Sequence, residues 1–264
     1  FLSVRVSGTG SPMGVSPGQK ARNPDVPGVW QLTVQQPLNG YRFSLEAFLL
    51  ADFVPALAAG PLVDLGTGCG IVALLIARRW PSARLVGVEL QASLALLAGH
   101  NVRHNGLECQ VDIVQADVRQ ARPLFAAGAF GTVVCNPPYR AVGRGRLNPK
   151  AEKAIARHEL TLTLAQLLQA TRHLLRRRGL LVMVYHPTRL HELCARLEEV
   201  RLRPRRLRLV HATLHDAAAM VLVEAVYNGG DALTVLPPLA ICDASGGYSA
   251  EMRAIFQGRT LHRR

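Results

Sequence analysis

The chain has 264 residues, 49% of them hydrophobic and 19% charged, with a formal net charge of +13. That composition is globular rather than disordered, and the length suits one α/β domain with a full core. No run of 18 apolar residues exists, so no membrane-spanning helix is expected; five scattered cysteines without a C-x-x-C pair argue against a disulfide framework or a metal site and for a reducing, cytoplasmic setting.

The charge is uneven along the chain. Residues 1–139 carry 10 Lys+Arg against 8 Asp+Glu, whereas residues 140–264 carry 21 against 10. Basicity gathered in one half points to a polyanionic partner, nucleic acid first among them. The competing explanation is coding bias, because 28 of the 31 basic residues are Arg.

Residues 1–28 are rich in Gly, Ser and Pro without periodicity and read as a flexible tail; residues 29–264 read as one domain. The opening FLSVRVSG is too short and too interrupted for a signal peptide. WQLTVQQ alternates like a strand, PLNG is a turn, and YRFS leads into an apolar helix, LEAFLLADFVPAL, with Pro55 near its end. PLVDLG then reads as a buried strand, CGIVALLIARRW as a helix, ARLVGVEL as a strand, and Ser93 to Asn105 as a helix ended by Gly106. CQVDIVQAD and FGTVVCN follow as strands, the second leading into a basic loop, RAVGRGRLNPK. Residues 159–177 are expected to be a helix, GLLVMVYHP a strand and Thr188 to Val200 a helix, before two antiparallel strands, LRPRRLRLVH and AAMVLVEAVYN. Short buried strands alternating with helices imply βαβ units.

Two segments carry chemistry. Val63 to Gly70, VDLGTGCG, follows a buried strand and opens a helix, yet its glycine spacing misses the dinucleotide fingerprint by one residue and lacks the Walker lysine. What remains is D-x-G-x-G-x-G, a backbone that a ligand can approach closely. Asp64, at the strand end, suits a ligand bearing an ammonium group better than a pyrophosphate. Glu89 ends the next strand, where a carboxylate can accept from both ribose hydroxyls. Asp117 ends the strand after that. Each acid alone reads equally as a turn or cap residue, but three at successive strand ends are hard to ascribe to coincidence.

The second segment is Cys135-Asn136-Pro137-Pro138-Tyr139. Two prolines cannot continue a strand. The Asn136 side-chain oxygen and the Pro137 carbonyl can each accept one N–H of a conjugated amine, and Tyr139 can stack on a flat substrate. That is positioning and preorganisation without a covalent intermediate or a metal. Such a cup selects an amino nitrogen and says nothing more of the substrate. His158 and His186 lack the neighbours of a hydrolytic set, and Cys69 and Cys135 read as small packing residues.

These segments resemble motif I and the [N/D]-P-P-[Y/F/W] motif of Rossmann-like S-adenosylmethionine-dependent methyltransferases. GYRFSLEAFLLADFV before the loop, AIARHELTLTLAQLLQAT after the cup and GGYSAEM near the end resemble the bacterial tRNA1(Val) (adenine-N6)-methyltransferase family over about residues 29–258. The resemblance implies a class I methyltransferase fold: a seven-stranded, mostly parallel sheet with an antiparallel C-terminal strand pair. It implies S-adenosylmethionine held by Phe43, Ser44, Asp64, Gly66, Thr67, Gly68, Cys69, Gly70, Glu89, Leu90, Asp117, Val118 and Asn136. It further implies a catalytic cup of Asn136, Pro137, Pro138 and Tyr139, acting on an adenine N6 in tRNA. Arg140, Arg144, Arg146 and Lys150, directly after the cup, are the expected RNA contacts, with Arg176–Arg178 and the arginines of 201–208 weaker candidates. Guanine N2 in ribosomal RNA and a protein glutamine amide remain open as substrates, since related enzymes use the same cup.

Overall fold

The computed structural model describes residues 32–36, 45–55, 60–137 and 162–259. In chain order the elements are α1 (Leu45–Phe53), β1 (Leu62–Leu65), α2 (Ile71–Arg79), β2 (Leu85–Glu89), α3 (Ala92–His104), β3 (Val111–Gln115), a 3-10 turn (Val118–Gln120) and the short α4 (Ala121–Leu124). They continue with β4 (Phe130–Cys135), α5 (Leu164–Leu174), β5 (Leu175–Tyr185), a second 3-10 turn (Pro187–Arg189) and α6 (Leu190–Glu199). Last come β6 (Leu202–His211), β7 (Ala218–Tyr227), the two-residue β8 (Thr234–Val235) and β9 (Leu239–Ala240), and α7 (Ala250–Phe256).

The sheet order is 3-2-1-4-5-7-6, with β1 to β5 parallel and β7 antiparallel to both β5 and β6. This is the expected architecture, extended by β8 and β9, which each pair with β6 in parallel. Alternate strand residues enter opposite layers. Leu62, Val134, Val182 and Leu222 pack with α1, α2, α3 and α7; Val63, Val133, Leu181 and Val223 pack with α5 and α6. The strands β1, β2, β4 and β7 are buried on both faces over most of their length, as a doubly covered sheet requires, while β3, β6 and β8 are partly exposed.

Local chemistry sets the helix ends. Thr163 and Gln166 form a reciprocal capping box at α5. Gly106, at φ +65°, ends α3, with the Leu107 N–H reaching back to the Val102 carbonyl. Ser249 caps α7, whose Phe256 packs edge-on against both Phe48 of α1 and Tyr248.

Several boundaries differ from expectation. Residues 32–36 are extended and alternate in burial, but they pair with no strand among the described residues; the Thr33 and Gln35 backbones bond instead to asparagine side chains of α3. The helix expected over 159–177 runs from Leu164 to Leu174 among described residues, and β5 begins at once. Arg176 to Gly179 bulge out of β5 opposite Gly131, with Arg178 at φ +65° and a Cβ on Gly179 coming within 2.8 Å of the Arg176 carbonyl. The expected Thr188 to Val200 helix is a 3-10 turn followed by α6.

Four arginines of 201–208 (Arg203, Arg205, Arg206 and Arg208) are held in ion pairs of the fold, whereas Arg201 is exposed. Glu224 of β7, fully buried, accepts from Arg205 and Arg206, and Arg206 also donates to the Phe53 carbonyl at 2.9 Å while stacking over the Phe53 ring. Arg208 forms a two-pronged bridge to Glu251 of α7, and Arg203 pairs with Glu198 and Asp231.

Candidate cofactor loop and amine cup

The strand order places the carboxyl ends of β3, β2, β1 and β4 in one row, carrying Asp117, Glu89, Asp64 and Asn136 in that sequence. Adjacent strands stand roughly 4.8 Å apart, so the row spans about 14 Å, the dimension of a nucleoside with a short side arm. Open α/β sheets bind ligands at this edge.

The loop between β1 and α2 is pinned peptide by peptide. The N–H groups of Gly66 and Thr67 both donate to the Val88 carbonyl, at 2.8 and 3.0 Å, and the Gly70 N–H donates to the Thr67 carbonyl at 2.9 Å. Glu89 accepts from the Gly68 N–H on one oxygen and the Gln91 N–H on the other, each at 2.9 Å. Gly66 and Gly68 sit at φ +75° and +59°, and a Cβ on either would meet no described protein atom within 4 Å. Left-handed backbone and an open outer face together explain why these positions are glycine. Gly70, at φ +88°, instead backs onto Ala98.

Asp64 is buried and accepts from the Thr67 hydroxyl at 2.6 Å. Burial pushes its carboxyl up from 3.8 to about 7, with nearby Glu89 adding to the rise while Thr67 and the backbone N–H of Ala73 oppose it. Among described residues neither Asp64 nor Glu89 has an arginine or lysine partner. Two buried carboxyls facing an open glycine backbone fit a cationic, hydroxyl-bearing ligand.

Asp117 is half-buried, caps the first 3-10 turn through the Arg119 N–H, and is bound by the Arg119 guanidinium. Arg119 holds its carboxyl below the usual range. Val118 is buried beside it, and Leu90 is exposed after Glu89. Asn136 and Pro137 are half-buried just past β4, whose last residue, Cys135, pairs with Leu65 and donates its thiol to the Leu65 carbonyl at 3.3 Å. The cup thus leaves the sheet one strand from Asp64. Burial raises the thiol of Cys69 to about 11 and that of Cys135 well above 9.0, so both stay protonated and serve as packing groups. His186 caps the second 3-10 turn through Thr188. Phe43, Ser44, Pro138, Tyr139, Arg140, Arg144, Arg146, Lys150 and His158, and the tail 1–28, lie outside the described residues.

Two supporting residues escaped the sequence reading. Gly87 of β2 makes room for the loop: a Cβ there would come within 2.8 Å of Ile113 and 2.9 Å of the Thr67 methyl. A glycine inside a strand pattern was the available signal. The other is Asn101 of α3, fully buried, which donates to the Cys69 carbonyl at 2.8 Å.

The family profile described as Methyltransferase small domain matches residues 45–200. The chain belongs to that family. It is 29% identical over 218 residues to the tRNA1(Val) (adenine(37)-N6)-methyltransferase of Photobacterium profundum, covering 82% of this chain and 90% of that protein. The protein of the same name from Porphyromonas gingivalis W83 is 29% identical over 231 residues, covering 84% and 89%. Among solved structures, a protein from Agrobacterium tumefaciens described as a predicted O-methyltransferase superposes with a TM-score of 0.68 at 21% identity, covering 83% of this chain and 99% of that one. The [4+2]-cyclase SpnF superposes at 0.52 and 14% identity, covering 69% and 81%, so the fold alone does not name a reaction. Membership of the small-domain methyltransferases makes the chain a methyltransferase-family enzyme, and S-adenosylmethionine is the methyl donor its fold implies. The open glycine backbone and the two carboxyls without a cationic partner fit that group's amino-acid end and ribose. No helix among the described residues is long and apolar enough to cross a membrane.

Proposed function

We propose that this enzyme transfers a methyl group to the exocyclic N6 of an adenine in tRNA. The observation that carries the reading is Asn136-Pro137 leaving β4 one strand from the glycine loop and Asp64, in a chain matching about nine-tenths of the length of relatives named as tRNA adenine-N6 methyltransferases. When bound, S-adenosylmethionine supplies an electrophilic methyl group. Asp64 and Glu89 hold its amino and ribose groups, and Asp117 meets the adenine edge.

The protein's own task is to make a poor nucleophile competent. An adenine amine is flat because its lone pair is delocalised into the ring. The Asn136 side-chain oxygen and the Pro137 carbonyl accept its two N–H groups, which favours a pyramidal nitrogen and aims the lone pair. The two acceptors would hold the amine in that orientation during transfer, and the proton in excess on the methylated nitrogen would pass to water. Tyr139 stacks on the base, which must be splayed from its neighbours to reach the cup. Arg140, Arg144, Arg146 and Lys150 meet phosphates, positioning the RNA without reading it.

The test is to incubate the purified protein with unmodified tRNA transcripts and methyl-labelled S-adenosylmethionine, then digest to nucleosides and identify the label by mass spectrometry. N6-methyladenosine is expected. Label in N2-methylguanosine, or in protein and resistant to ribonuclease, would overturn the adenine assignment.

A further inference from the structure

Residues 32–36 lie along α3 as a strand lies along a neighbour, although a helix side has no backbone groups to offer. The partners are Asn101 and Asn105. The Asn105 side chain accepts the Thr33 N–H at 2.9 Å and donates to the Thr33 carbonyl at 2.8 Å; Asn101 does the same for Gln35, at 2.9 Å both ways. Four residues along a helix advance about 6 Å, and two along a strand about 6.7 Å, so an i, i+4 asparagine pair matches an i, i+2 strand repeat. Each primary amide stands in for a peptide group. Leu32 and Val34 point into the core while Thr33 and Gln35 face outward.

Each amide nitrogen has a second acceptor. That of Asn105 is the Asn101 backbone carbonyl at 2.7 Å, within the helix, whereas the Asn101 side-chain nitrogen also donates to the Cys69 carbonyl at 2.8 Å, in the middle of the glycine loop. That carbonyl and the Gly70 N–H belong to one peptide plane, and the N–H is held by the Thr67 carbonyl. The plane is therefore clamped at both ends, and one of the two clamps is the amide that holds the N-terminal segment. We propose that Asn101 is a positioning residue coupling segment 32–36 to the cofactor loop, so that docking of the segment and occupation of the loop stabilise one another. The inference rests on the loop being the S-adenosylmethionine site. By linkage the coupling acts in both directions: a ligand that fixes the Cys69 peptide holds Asn101 in the orientation that binds Gln35, and the docked segment returns the same free energy to the ligand.

Two measurements on the full chain test this: calorimetric affinity for S-adenosylhomocysteine, and amide hydrogen exchange at residues 32–36 with and without that ligand. In the native protein the ligand is expected to slow exchange at Thr33 and Gln35. Asn101→Asp keeps the acceptor for the Gln35 N–H but loses both donated bonds; affinity should fall about tenfold and the ligand should no longer protect the segment. Asn105→Ala removes the outer pair of bonds and the Asn105 amide's bond to the Asn101 backbone carbonyl, none of which reaches the loop, so exchange should rise while affinity stays within about twofold. Gln35→Pro, at an exposed position, removes the N–H that Asn101 accepts and should weaken the ligand without touching the core. Equal losses for Asn101→Asp and Asn105→Ala, or native affinity in both Asn101→Asp and Gln35→Pro, would overturn the coupling. A native protein that binds no S-adenosylhomocysteine would instead sink the cofactor reading, whatever the asparagines do.

Discussion

Two buried acidic centres sit on opposite halves of one sheet and behave in opposite ways. On the antiparallel half, Glu224 is wrapped by Arg205 and Arg206, so its charge is answered from within the chain. On the parallel half, Asp64 and Glu89 are buried as deeply, yet their partners are a hydroxyl and backbone N–H groups. A carboxylate paired with arginine is part of the architecture. One left with neutral donors beside an open backbone is held at the expense of the free protein's stability, as sites for charged ligands commonly are. The same contrast bears on the C-terminal arginines: those bridged to Glu192, Glu199, Glu198, Glu224, Glu251 and Asp243 are fixed in place by the fold, while the net positive excess of that half, from which these acids are already subtracted, stands unchanged.

The largest effect is expected outside both centres. Asn136→Ala should lower kcat by roughly 10²–10³-fold, the scale of removing one preorganised polar contact to a reacting group. S-adenosylhomocysteine affinity, measured by calorimetry, should stay within a fewfold. Retained turnover would remove the cup from the mechanism and leave the acidic row as a binding site alone.

Next comes the architectural acid. Glu224→Gln leaves two arginines without their counter-charge. Because those arginines are 48% and 30% exposed, water recovers part of the loss, and about 3 kcal/mol, read by denaturant unfolding, is the expected cost. Asp64→Asn should act with the opposite sign. In the fold Asp64 titrates at about 7 rather than 3.8, so the native state holds a proton that the unfolded chain releases in that interval. Stability therefore falls as pH rises from about 4 to about 7. Removing the ionisable group should raise the stability of the ligand-free protein by up to about 4 kcal/mol at pH 8 and by less than half as much at pH 5, while weakening S-adenosylmethionine. Destabilisation by both substitutions at pH 8 would erase the distinction between the two centres.

The smallest effect is Gly87→Ala. Its methyl must displace Thr67 or Ile113, at a cost of about 1–2 kcal/mol. Because Thr67 bonds Asp64, ligand affinity should drop alongside stability, whereas a purely structural glycine would change only the melting temperature.

The sequence made the parallel half readable because its signals are local: glycines and an acid within eight residues, and one acid at each following strand end. The position of Asn136, just past the end of β4, was readable for the same reason. What stayed hidden depends on contacts between distant segments. WQLTVQQ showed its alternation but not its partner, because the ladder is completed by side chains 66 and 72 residues away. Asn101, in mid-helix, looks like any polar residue until the loop is seen against it. The start of β5 was misplaced because leucine and arginine in HLLRRRGLL suit a helix end, and only the clash a side chain at Gly179 would meet reveals the bulge.

The bond from Arg206 to the Phe53 carbonyl has a consequence for biosynthesis. It joins residues 153 apart, and Phe48 on the same helix waits for Phe256. As the chain leaves the ribosome, α1 emerges first among the described elements of the domain and completes its contacts only near the end of synthesis. It can pack on α2 and β5 as they appear, with Arg79 bridging Asp52, but a chain ending before Leu202 would lack both the Arg206 bond to the Phe53 carbonyl and the Phe256 ring against Phe48. Ribosome stalling upstream of Arg206 should therefore leave α1 more open to proteolysis than in the finished protein, even where the glycine loop has already been made.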